Sequence, residues 1–254
     1  YRISMNQRIM GTTMTNQAID REVHHRFGKF SYLLCSILTL LIGTAFTGSS
    51  RGSVIFFCLL FSAVLLTAVI SICQRHKTLG IGLTIVFLML VMNVSSFLFH
   101  SDSLTILHNI LVIIFLAFVF YHVLSAVFDD NQVTLDTIIG TVCLYLLAGL
   151  FWAYLYSMII VIDPAAFRYD LVSSTSETVT LSNSNLQPLI YLSFVTMATL
   201  GYGDIIPVSG PAQTACYLQA VFGQFYFAIL VSRLVSLYIS SVSRENQDRL
   251  NSQS

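Results

Sequence analysis

Six apolar stretches, each about long enough to cross a bilayer core of roughly 30 Å, leave this chain few ways to fold. They cover residues 31–47, 54–73, 79–99, 104–128, 136–162 and 211–241. In hydrocarbon, backbone N–H and C=O groups must find partners inside the protein, and a helix provides them within a single segment. The chain is 56% hydrophobic and 9% charged, against about 25% charged for a soluble domain. So few charges cannot solvate a soluble surface. The expected fold is an all-α membrane protein with six transmembrane helices.

A shorter apolar stretch, 188–199, lies between the last two spans. At 1.5 Å per residue it reaches about 18 Å, enough to enter the bilayer but not to cross it. It reads as a re-entrant helix. Pro188 suits its first turn, where a missing N–H is harmless.

Positive charge favours the cytoplasmic side. Arg2, Arg8, Arg21, Arg26 and Lys29 precede the first span, Arg75 and Lys77 lie between the second and third, and Arg244 and Arg249 follow the last. The opposite side holds Arg51 and Arg168. Both termini are therefore expected in the cytoplasm of a cell-membrane protein, with the 199–204 loop opening outward. The first apolar run follows a long polar leader and is too long for a signal core, so no cleavable signal peptide is expected. Cys35, Cys58, Cys73, Cys143 and Cys216 all fall in apolar spans, and neither a disulfide framework nor a metal site is expected.

The chain divides into five parts: a cytoplasmic leader (1–29), a four-helix bundle (30–128), a linker (129–135), a two-span module (136–243) and a short tail (244–254). Asp129, Asp130 and Asp136 make the linker acidic.

The segment Thr199-Leu200-Gly201-Tyr202-Gly203-Asp204 comes after the re-entrant stretch. Moving an ion into a low-dielectric interior costs on the order of 20 kcal/mol by idealised Born estimates, so a pore must offer substitute oxygens. Rings of backbone carbonyls are one such source. Gly201 and Gly203 accept the positive φ values that side chains disfavour, which lets successive carbonyls point the same way. The Thr199 hydroxyl adds an oxygen at the inner end. With Thr196-Met197-Ala198 before it, the string closely resembles the signature sequence of potassium channels, with Leu200 where valine or isoleucine is commonest.

That resemblance implies a potassium-selective channel in which four copies of the chain surround one axis, since the string occurs once per chain. K⁺ would be the permeant ion, held by carbonyls of Thr199, Leu200, Gly201 and Tyr202, with Gly203 closing the row. The Tyr202 side chain would point away from the axis. Some family members pair a pore-helix carboxylate with the aspartate after the filter. Here that position is Val195, which leaves Asp204 to bond Tyr191 or solvent. The specific resemblance covers 134–243; the first four spans match the family in number alone. The overall pattern resembles bacterial six-span potassium channels without voltage-sensor arginines, because 104–128 contains no Lys or Arg. Weak or absent charge-driven voltage gating is the expectation. His108 and His122 near the ends of that span are read as interfacial.

Gly223 lies mid-way along the last span, where many potassium channels have a hinge glycine; a close-packing glycine is the alternative. Phe227, Val231 and Val235 follow at i+4 spacing and are candidates for an apolar gate. Arg233 is a charge inside a predicted span. It can snorkel to lipid phosphate or pair with Asp129, Asp130 or Asp136 and couple the bundle to the gate. The rivals are the membrane subunit of a potassium transporter and a non-conducting regulatory subunit. An enzyme is not expected, since no nucleophile–base constellation appears. The expected partners are further copies of the chain, lipid and K⁺, with no nucleic acid and no cofactor.

Overall fold

The computed structural model describes residues 29–44, 60–64, 66–68, 80, 84, 86–88, 91, 102–129, 135–169 and 186–251. Most of the second and third predicted spans, the leader, Asp130 and most of the outer loop lie outside the described residues.

Helix α1, Lys29–Thr44, buries Leu33, Ile37 and Leu40 and exposes Tyr32, Leu38 and Ile42. The buried set keeps the i, i+4, i+7 spacing of one helix face. Its start is fixed from another helix, because the Phe30 N–H donates to Asp136 Oδ1 at 3.1 Å. That bond satisfies one of the donors a helix N-terminus leaves open.

Helix α2, Asp102–Asp129, is apolar on every side. Val112, Phe115, Leu116, Val119, Val123 and Val127 are buried, while Leu107, Ile110, Ile114, Tyr121 and Phe128 are exposed. A helix apolar all round belongs in a large core or in lipid. Helix α3, Leu135–Ile162, is the hub of the structure: α1 and α2 pack against it, as do the next two helices along the chain. Three described segments are long and apolar enough to cross a membrane: Ser103–Phe128, Asp136–Ile162 and Gly210–Arg233. The chain is thus a mostly helical membrane protein.

After α3 the chain forms β1, Phe167–Tyr169, which pairs antiparallel with β2, Ile205–Pro207, in the register Phe167↔Pro207, Arg168↔Ile206 and Tyr169↔Ile205. This ribbon is the one departure from an all-α description among the described residues. Strands of three residues are too short to show an alternating pattern. Phe167 is buried and meets the Tyr156 ring edge-on at 5.4 Å, so the ribbon is anchored to α3. It holds the exit of the 199–204 loop beside the end of that helix.

Between the strands lies α4, Gln187–Met197. The last helix, α5, runs unbroken from Gly210 to Asn251. Ser209 starts it, its carbonyl accepting from Gln213 N–H at 2.9 Å and its Oγ from Ala212 N–H at 3.4 Å. The helix continues through the polar residues beyond 243. Hydropathy ends there, but no Gly or Pro interrupts the helix. Glu245 and Arg249 stand in the sequence at a helix-favouring i, i+4 spacing.

Candidate functional site

Helix α4 has 11 residues, about 16 Å of rise, which is too little to cross a bilayer. Pro188 stands in its first turn, and Leu189, Ile190, Leu192, Ser193, Val195 and Met197 are buried. These residues seat α4 against α3 and α5.

The end of α4 sets the backbone of the 199–204 loop. Ala198 N–H donates to Phe194 O at 2.9 Å, Thr199 N–H to Thr196 O at 3.1 Å, and Leu200 N–H to Val195 O at 2.9 Å. The last two bonds are the 5→2 and 6→1 pair of a Schellman motif, which requires a left-handed residue just past the cap. Glycine usually fills that place. Here it is Thr199, with φ 56°, the one non-glycine with positive φ among the described residues. A β-branched residue in this region is a true outlier, and such strain clusters at functional sites. The Thr199 hydroxyl donates to Ala198 O at 2.7 Å.

Gly201 and Gly203 come next with φ of 53° and 80°. The sign of φ therefore alternates from 199 to 203. A β-strand keeps one sign and points successive residues to opposite sides. Alternation turns successive peptide planes the same way, as in backbone ion-binding concavities. A Cβ at Gly201 or Gly203 would meet nothing within 4 Å in the single chain. Backbone conformation is what calls for glycine at these two positions.

The Tyr202 ring stacks on Tyr191 with centroids 6.3 Å apart and planes at 15°. The Asp204 carboxylate accepts from the Ile205 N–H at 3.0 Å and fixes the turn into β2. Val195 is buried and supports the loop through its carbonyl.

Gly223 sits where α5 crosses α4. A Cβ there would lie 2.8 Å from the Met197 carbonyl oxygen and 3.2 Å from its Cα. Of the two readings open for this glycine, close packing has direct geometric support. Phe227, Val231, Val235 and Ile239 are exposed, one helical turn apart. Arg233 donates to the Val127 carbonyl and lies 4.2 Å above the Phe128 ring centroid. It therefore clasps the C-terminal end of α2, where the helix dipole favours a cation, and its Nη1 is buried without a partner. Asp136 bonds the start of α1 instead. His122 lies edge-on to Phe118 and Tyr121, and His108 edge-on to Tyr154 of α3.

Residues 109–240, just over half of the chain, match the model of a family described as ion channel. The chain belongs to that ion channel family. The match takes in most of α2, all of α3 and α4, the 199–204 loop and α5 as far as Ser240. No curated protein and no solved structure matches this ion channel significantly.

Sequence reasoning misses a buried polar group behind α4. Tyr156, Ser193 and Gln219 are fully buried and hydrogen-bonded to one another across three helices. The available signal is a glutamine inside a membrane-length apolar helix, since polar residues within the membrane are costly and usually functional.

Proposed function

We propose that this ion channel is selective for K⁺, conducts passively, and is built from four copies of the chain around a central axis. The observation that carries this reading is the alternation of φ sign along Thr199-Leu200-Gly201-Tyr202-Gly203 at the end of a helix too short to span. Carbonyls of Thr199 to Tyr202 and the Thr199 hydroxyl would then replace the ion's water shell. The loop's exposure in a single chain supports the tetramer, as does the surface of α5, of whose apolar window only 17% is buried. Phe227, Val231 and Val235 would converge as an inner gate. In this arrangement α4 is the re-entrant pore helix, six spans cross the cell membrane, and both termini are cytoplasmic.

The test is K⁺ efflux from liposomes holding the purified protein, compared with Na⁺ efflux. The wild type should pass K⁺ in strong preference, and Gly203→Ala should abolish the preference. Equal efflux of both ions from the wild type would overturn the potassium assignment.

A further inference from the structure

Apolar contacts are non-directional. Packing fixes the rotation and depth of a short helix such as α4 less sharply than directional bonds do. Any rotation or slide would displace Thr199, which stands two residues beyond its last turn. Hydrogen bonds are directional, and α4 has one buried set of them from its side chains.

Ser193 lies mid-helix, fully buried. Its Oγ donates to the Gly149 carbonyl of α3 at 2.6 Å and accepts from Gln219 Nε2 of α5 at 2.7 Å. The same Nε2 donates to the Ser193 carbonyl at 3.0 Å, and Gln219 Oε1 accepts from the Tyr156 hydroxyl of α3. None of these side-chain atoms is a buried polar atom left without a partner. One turn further along both helices, Gly223 meets the Met197 main chain. Ser193 and Met197 are four apart, and so are Gln219 and Gly223. The two helices therefore meet in register over two successive turns, with the polar contact first and the close backbone contact second.

The geometry points to Gln219 as the positioning residue that sets selectivity: it fixes the rotation and depth of α4 through Ser193 and ties that setting to α3 through Tyr156. This rests on the K⁺-channel reading above. Gln219 touches no ion. It acts by holding the carbonyls of 199–202 at the spacing that suits one cation and not a smaller one. In lipid no water can replace a lost bond, so a cut network leaves α4 held by contacts that tolerate rotation.

The experiment measures the K⁺/Na⁺ permeability ratio from reversal potentials of reconstituted channels, for wild type, Gln219→Met, Ser193→Ala, Tyr156→Phe and the Gln219→Met/Ser193→Ala pair. Tetramer content is checked by size exclusion in detergent. Gln219→Met and Ser193→Ala should each lower the ratio roughly tenfold, and Tyr156→Phe should lower it less. The pair should fall short of the sum of the two single effects, because both variants break the Gln219–Ser193 contact, while Ser193→Ala also removes the bond to Gly149. Assembled, conducting Gln219→Met and Ser193→Ala tetramers with the wild-type ratio would overturn the proposal. So would a merely structural outcome, in which thermal stability falls and the ratio holds. If Gln219→Met fails to assemble, Ser193→Ala and Tyr156→Phe, each lacking one oxygen atom, decide the matter in the same way. A wild type without K⁺ preference would remove the potassium assignment, and this inference with it.

Discussion

Gly223 approaches the Met197 carbonyl so closely that an added methyl carbon would stand 2.8 Å from the oxygen. Helices α5 and α4 are thus in backbone contact at the base of the loop. Relief there requires a shift of main chain, because no flexible side chain stands in the way. Gly223→Ala should cost about 1–3 kcal/mol by overpacking. It should appear as a lower unfolding temperature of the assembled channel together with reduced K⁺ flux. Unchanged stability with altered opening alone would favour a hinge over a packing contact.

Conformation and bulk separate cleanly at Gly201. Its φ of 53° and the open space around it predict opposite outcomes for the two hands of alanine. L-Alanine in this region costs roughly 1–2 kcal/mol and should destroy K⁺ selectivity. D-Alanine, installed by semisynthesis, should preserve it. Loss of selectivity with both would mean that a neighbouring copy of the chain fills the space.

The stacked rings of Tyr191 and Tyr202 tie the loop to α4. Such a pair contributes about 0.5–1.5 kcal/mol beyond area burial. Tyr191→Leu should make K⁺ conductance decline several-fold faster during sustained activity, whereas Tyr191→Phe should behave close to wild type. The comparison requires macroscopic currents held at constant voltage. Equal decline in all three proteins would show that the stack does not support the loop.

Arg233 binds the Val127 carbonyl and the Phe128 face, so the end of α2 is tied to the middle of α5. Cation–π contacts contribute roughly 0.5–2 kcal/mol, and Arg233→Met should shift the open–closed ratio by about threefold to thirtyfold. Phe128→Leu should shift it in the same direction by less. Single-channel open probability is the readout, and no change in either variant would mean that the clasp is static.

The membrane character of the chain, its three long apolar helices and the loop are plain in the sequence, because they depend on local properties. Hydropathy marks a span, and two glycines beside a threonine mark an unusual backbone. Other features depend on partners far along the chain. Gln219 reaches Ser193 across 26 residues, and nothing in either residue's neighbourhood names the other. Arg233, read from sequence, seeks lipid phosphate or an aspartate. In the fold it takes a backbone carbonyl at a helix end, an acceptor that every residue carries and no sequence advertises. The ribbon of Phe167–Tyr169 with Ile205–Pro207 is too short for a pattern. Hydropathy underestimates the length of α5 because it stops where lipid stops, and a helix need not.

The central claim concerns the ion, and a reversal potential reads it directly. Purified wild-type protein in a planar bilayer, with K⁺ on one side and Na⁺ on the other, should carry current that reverses far toward the potassium equilibrium potential. A reversal potential near zero would contradict it.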